Sequence, residues 1–345
     1  MTKTTQIAAD RAYDEAKTVL PAEVARGVYM RNSPSLAALK LMHLLIGKAG
    51  GRMAEPVRHE IRLSDIRKID GMKNHDRASL TPLFAELSAA VLTHDDPEKM
   101  VVTIGGLLDF ARIDYRHEVS NDLLVTWWFG GAFREMAEKS CHWAILDRQT
   151  VFALSSKYSV LLFQHVASLV NLDHVASKTF TVSELRAVMG VPDGKLKRWN
   201  DVNNFALKPA IEEINQTSRL TLTATPRKIG RTVASVTIAW EEKPHEAKQE
   251  TRRELDRPKV GRKARRDGSA ELLVPPFPAS GGLAKGPGID AHWRALFEAN
   301  VTRIQGNHLP DSKLVCDAFR KARGDKLDDT TTERHFVNFC KAWRG

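Results

Sequence analysis

One short stretch of the chain holds Lys195, Lys197, Arg198, Asn203, Asn204 and Lys208, and a second stretch downstream holds Arg227, Lys228 and Arg231. Ammonium and guanidinium groups neutralise phosphates whatever the base sequence. An asparagine carboxamide sets a donor beside an acceptor, matching the major-groove edge of adenine, while Arg or Lys matches guanine. Each good pair contributes about 1–3 kcal/mol of discrimination. The chemistry on offer is therefore recognition of double-stranded DNA. A charged helix face can also be no more than a solvated one, but cations on two neighbouring stretches argue for a polyanionic partner.

Bond-breaking chemistry has a different signature, which this sequence lacks. No GxxxxGK[ST] phosphate loop occurs, and the nearest run, Gly281 to Pro287, has proline at the lysine position. The 12 histidines show neither HExxH nor His-x-His spacing, and the 3 cysteines form no CxxC pair. None of the 4 tyrosines lies near a histidine cluster that could serve a metal-assisted phosphotyrosine step. His43 and His165 fall in helical segments as structural or surface residues. Glu212-Glu213 and Asp95-Asp96 read as solvated pairs, and Trp127-Trp128 as strand core plus interface. No catalytic residue, metal or cofactor is expected.

The elements that must carry the cations follow from periodicity. Residues 154–170 repeat apolar side chains (Tyr158, Leu161, Leu162, Val166) at helical spacing. FTVSELRAVMG gives a short strand, then a helix capped by Ser183 and stopped by Gly190. After the turn Val191 to Gly194, residues 195–218 form a longer helix that buries Leu207, Ala210, Ile211 and Ile214. Pro209 should loosen that helix, which places the base-reading part ahead of it. RLTLTA and TVASVTIAW alternate with period two around a basic tip, Arg227 to Arg231. Helix, strand, helix, turn, helix, hairpin is the order of a winged helix.

Upstream, the order repeats. Ser33-Pro34 opens a helix that Gly50-Gly51 stop, HEIRL is a strand, Ser64 starts a short helix, and residues 77–92 form another. MVVTIGGLLD, FARIDYR, LLVTWWF and HWAIL are strands, with helical GGAFREMAEKS before the last. Ser64, Ile66, Arg67 and Gly71 match Ser183, Leu185, Arg186 and Gly190 at one offset. Leu80, Pro82, Glu86 and Leu87 match Leu207, Pro209, Glu213 and Ile214. Two signals in the same order favour duplication of one winged helix.

A chain of 345 residues with net charge +10 leaves room for two or three domains and favours nucleic acid over membrane, since no long apolar span exists. Three scattered cysteines and a polar start without a signal-like core imply a reducing, cytoplasmic setting. The expected fold is α+β, with two tandem winged-helix domains, a basic disordered linker and a small C-terminal helical module. Its boundaries are a flexible segment 1–24, a first domain 25–148, a second 149–242, a linker 243–288 and a module 289–345. The linker gathers Arg252, Arg253, Arg257, Lys259, Arg262, Lys263, Arg265 and Arg266, read as a tether or a DNA-backbone contact. In the module, the face of Phe336, Phe339, Cys340 and Trp343 should dock internally.

The run Leu154-x-Ser156-x-Tyr158-Ser159-x-x-Leu162-Phe163, then SELRAVMG, LKPAIEEIN and RKIGRTVASVTIAW, resembles the iteron-binding plasmid replication initiators. The resemblance is strongest over 150–240. It implies binding to direct repeats (iterons) in an origin, opening of an adjacent A·T-rich segment, and recruitment of the host replication initiator and replicative helicase. It also implies monomers that initiate and dimers that autorepress, with base reading by the second domain and backbone and dimer contacts by the first. Asn203, Asn204 and Lys208 fall on the base-reading helix of that family, and Arg227, Lys228 and Arg231 on its wing. A winged-helix transcriptional repressor, or a rolling-circle nickase or primase, are the alternatives.

Overall fold

The computed structural model describes residues 14–26, 33–69, 72–97, 99–116, 122–170, 172, 174–268, 291–301, 312–323 and 330–343, with Ala8, Arg11 and Ala12. The chain forms two compact units, Met1–Arg266 and Asp267–Gly345. The first unit opens with β1 (Lys17–Pro21) and α1 (Ala22–Arg26), followed by α2 (Leu36–Ala49), β2 (His59–Arg62) and α3 (Leu63–Arg67). Next come α4 (Arg77–Ala89), β3 (Val91–Asp96), β4 (Val101–Gly106), β5 (Leu108–Asp114) and β6 (Leu124–Phe129). The first half closes with α5 (Gly131–Lys139) and β7 (Trp143–Asp147).

The second half repeats the plan with α6 (Arg148–Ala153) as connector, then α7 (Lys157–Leu169), β8 (Ser177–Thr181) and α8 (Val182–Val188). A short helix α9 (Trp199–Val202) runs through a π turn (Asn203–Leu207) into α10 (Lys208–Thr217). The hairpin of β9 (Leu220–Ile229) and β10 (Thr232–Glu242) completes it.

Each half carries a three-stranded sheet of one topology, β2-β6-β5 and β8-β10-β9, so the fold is a pair of winged helices. The duplication extends to side-chain hydrogen bonds. Glu86 on α4 accepts from the Ser35 backbone N–H at 2.7 Å, and its match Glu213 on α10 accepts from the Ser155 N–H at 2.6 Å. Both carboxylates thus fasten the start of their domain's first helix. Arg67 donates to the His75 carbonyl at 2.8 Å, and its match Arg186 donates to the Lys195 carbonyl at 2.7 Å. Both guanidiniums brace the turn before the third helix. The Gly71 match lies outside the described residues. One apolar core runs through both halves, from Leu39, Leu45 and Phe84 to Leu162, Val236 and Ile238.

Several sequence expectations need correction. Segment 1–24 is not a free lead-in throughout: β1 pairs antiparallel with β7 and buries Val19 and Leu20. Helix caps lie elsewhere than read. Ser35, not Ser33, accepts the Ala38 N–H at 3.3 Å, and Thr181, not Ser183, forms a reciprocal capping box with Glu184. MVVTIGGLLD spans two strands, because β4 pairs with β3 while β5 pairs with β6.

The largest departure is the segment 243–288. As far as Arg266 it is not a disordered linker: α11 (His245–Asp256) and α12 (Arg262–Arg266) pack on the second winged helix. Glu254 and Arg262, each with 8% of its side chain exposed, pair at 3.2 Å, and Arg265 adds a contact to Glu254 at 2.8 Å. Part of the basic cluster therefore works inside the protein, while Arg252, Arg253, Arg257 and Lys263 stay on the surface. Residues 269–290 lie outside the described ones.

In the second unit, α13 (Ala291–Asn300), α14 (Ser312–Arg323) and α15 (Thr330–Ala342) share a core of Phe297, Val315, Cys316, Phe319, Phe336 and Cys340. Phe339 and Trp343 pack against it, so the apolar face of α15 is docked internally as expected.

Candidate nucleic-acid interface

The turn between α8 and α9 carries the first cations. Gly194 adopts φ 78° and Leu196 φ 45°, the left-handed region that costs a side-chain-bearing residue roughly 1–2 kcal/mol. Arg186 offsets this by donating to the carbonyls of both Lys195 and Leu196. Lys195, Lys197 and Arg198 are exposed here, ahead of the helix and not on it, because regular helix begins only at Trp199.

From Trp199 onward one face is buried by Val202, Ala206, Leu207, Ala210 and Ile214, with Ile211 only half-buried. The opposite face exposes Asn200, Asn204, Phe205 and Lys208, with Asn203 half-buried at its edge. Within the π turn the Lys208 N–H bonds to the Asn203 carbonyl, one residue further back than in an α-helix. Pro209 favours the widening without dictating it alone, since its match Pro82 lies inside the regular helix α4. Pro209 has no N–H to give, and its ring would crowd the Phe205 carbonyl in a regular helix. The Lys208 ammonium lies 3.9 Å from Glu212, an exposed contact that leaves it available.

The wing is fastened to this helix. The Asn215 side chain of α10 donates to the Leu222 carbonyl at 2.9 Å and accepts from the Leu222 N–H at 2.7 Å, pinning the base of β9. The strand runs further than its sequence pattern shows, so Arg227 and Lys228 belong to β9 and only Gly230 and Arg231 form the turn. Gly230 has φ 62°, which suits glycine in so tight a hairpin. Arg227, Lys228 and Arg231 are exposed. The structure thus leaves Lys195, Lys197, Arg198, Asn204, Lys208, Arg227, Lys228 and Arg231 exposed on one winged helix, with Asn203 half-buried beside them.

Two apolar residues escaped the sequence reading. Phe205 is 67% exposed and Ile229, beside the wing turn, is 68% exposed. Phe205 stands off the Leu207, Ala210 and Ile214 face, and that mismatch with the helix period was the legible signal. In the first winged helix the matched positions are Arg77, Ala78 and Thr81. Its Arg77 guanidinium lies over the Tyr115 ring at 4.5 Å. Trp127 is buried in the sheet, and Trp128 stacks on Phe110 at 4.2 Å. His43 and His165 are buried and structural. Among the described residues, no three His, Cys, Asp or Glu side chains are grouped so as to hold a metal ion, and no helix is long and apolar enough to cross a membrane.

Comparison with known proteins bears out the resemblance. Residues 181–240, from the cap of α8 to the end of the wing, match the family model described as initiator Rep protein, WH2. A solved structure of Pi initiator protein in complex with iteron DNA shares the fold, at TM-score 0.50 and 13% identity. That likeness covers 66% of this chain and 98% of the other. No curated protein matches the chain.

Proposed function

We propose that this protein is a plasmid replication initiator that binds the direct repeats of an origin as double-stranded DNA. The observation that carries this reading is the coincidence of two things in residues 181–240. The match to the initiator model falls there, and so do the exposed Lys195, Lys197, Arg198, Asn204, Lys208, Arg227, Lys228 and Arg231. The iteron DNA held by the structural neighbour supports a ligand of that kind. Asn203, Asn204 and Lys208 read base edges in the major groove, and the wing cations hold the neighbouring backbone.

Such a protein needs no covalent chemistry. Copies bound in phase bend the origin, and their contacts offset a deformation of order 1–6 kcal/mol, which strains adjacent A·T-rich duplex. On this reading the protein works in the cytoplasm, the opened segment receives the host replication initiator and replicative helicase, and a dimer represses the protein's own promoter. Self-association has support in the apolar side chains Val101, Val102 and Ile104, which β4 of the first winged helix leaves exposed. Permanganate footprinting on the supercoiled origin tests the reading. Thymines beside the repeats should turn reactive when protein is added. Unreactive thymines beneath a clear footprint would point to a transcriptional repressor, and nicked or primed product with Mg²⁺ would point to an enzyme.

A further inference from the structure

We infer that Phe205 is a specificity-determining side chain that recognises thymine through its 5-methyl group. The inference rests on the second winged helix reading bases, and it names one of the bases read. Phe205 is 67% exposed in the middle of the helical segment that carries Asn204 and Lys208. It does not serve the core, which this segment supplies with Val202, Ala206, Leu207, Ala210 and Ile214. Nor does it serve the fold. The duplicated first domain places Ala78 at the matched position, in a regular helix without the π turn, and still builds a sheet of the same topology.

The neighbours of the ring identify its partner. The same segment exposes Asn200, Asn204 and Lys208, and the positions one turn before and after the ring are the half-buried Asp201 and Pro209, so no large side chain joins it in an apolar patch that would bury against another protein. A single ring among amide and ammonium groups fits a surface that is mostly polar with isolated apolar points. The major groove is such a surface, and its apolar point is the thymine methyl. The π turn (Asn203–Leu207) spans the residue, a local irregularity of the kind that recurs where helices carry function.

The test uses the full-length protein and fluorescent duplexes carrying one direct repeat from its own origin, read by anisotropy. One duplex has thymine throughout, one has deoxyuridine at every thymine, and a third has scrambled sequence. Wild type should bind the deoxyuridine repeat roughly three- to ten-fold more weakly than the thymine repeat, the scale of a lost methyl contact. F205A should lose a similar factor on the thymine repeat, show no difference between thymine and deoxyuridine, and bind scrambled DNA as wild type does. Equal loss by F205A on repeat and scrambled DNA would overturn the inference, as would a wild type indifferent to deoxyuridine. A loss by F205A seen only on tandem repeats would overturn it too, assigning the ring to a neighbouring copy. If wild type prefers the repeat and F205A retains the full preference, this inference alone fails. If wild type has no preference for the repeat, the proposed function fails first.

Discussion

Asn204 and Arg231 sit on the same winged helix, yet replacing them should have different effects. Asn204 and Lys208 lie on the exposed face of the π turn and α10, the face proposed above to read base edges. Asn204→Ala or Lys208→Ala should weaken binding to the origin repeat by about 1–3 kcal/mol and binding to random duplex much less. Arg231 lies in the wing turn, and Arg231→Ala should weaken both and lower the salt slope by about one unit. Titrations at several salt concentrations separate the two; an unchanged slope would mean that the wing does not touch phosphate. A second pair of residues governs stability. Burial, with Arg148 adding to it, pushes the His43 pKa down to about 4, and burial with Lys178 pushes His165 down to about 3. The unfolded chain takes up these protons near pH 6.5 and the folded chain does not, so stability is complete above that pH. It should fall as pH drops from about 6.5 towards 4 for His43 and 3 for His165. At pH 5 the loss from His43 alone is on the order of 2 kcal/mol. Urea midpoints at pH 7.5 and 5 should differ accordingly, and His43→Leu should reduce the difference.

At the scale of the element, the π turn sets where the asparagines stand. Pro209 favours the widening by withholding a hydrogen bond and crowding the Phe205 carbonyl, but does not dictate it alone, since Pro82 at the matched position leaves α4 a regular helix. Pro209→Ala should let the segment relax to α-helix, which rotates Asn203 and Asn204 relative to Lys208. The expected outcome is unchanged or higher thermal stability with weaker discrimination between repeat and random DNA. A variant that keeps full discrimination would show that the turn does not position the reading face. Pro209 was legible as a disturbance because the cause is local. The same holds for α7, β9 and β10, whose patterns repeat within a few residues. What escaped depends on partners distant in sequence. β1 has an unremarkable composition and becomes a strand only because β7 accepts it. The cations ahead of α9 seemed helical because nothing in their types betrays the left-handed Leu196, which Arg186 holds from the preceding helix. Thr181 and Ser183 are both sound caps by type, and only the reciprocal bonds to Glu184 decide between them.

At the scale of the molecule, the connector between the two winged helices is held from both sides. α6 ends with carbonyls that have no partner within so short a helix. Lys40 of the first domain donates to the Phe152 carbonyl at 2.8 Å, and Lys259, beyond the wing, donates to the same oxygen at 2.7 Å. Arg262 donates to the Ala153 carbonyl at 3.2 Å and is itself held by Glu254. The stretch after the wing therefore closes a clamp on the link between domains. Hydrophobic periodicity could not show this, because the driving contacts are a buried ion pair and capped carbonyls. Removing one partner of such a pair strands the other charge, at about 3–5 kcal/mol. Glu254→Gln in the full chain should lower the melting temperature by roughly 5–10 °C. A chain ending at Glu242, where the sequence pattern placed the domain boundary, should lose at least as much relative to one ending at Arg266. Calorimetry on these three proteins and the wild-type chain decides the matter. Equal melting of the two truncated chains would make α11 and α12 passengers on the second winged helix. A loss shared by the truncation and by Glu254→Gln would make them part of what keeps the two winged helices in one body.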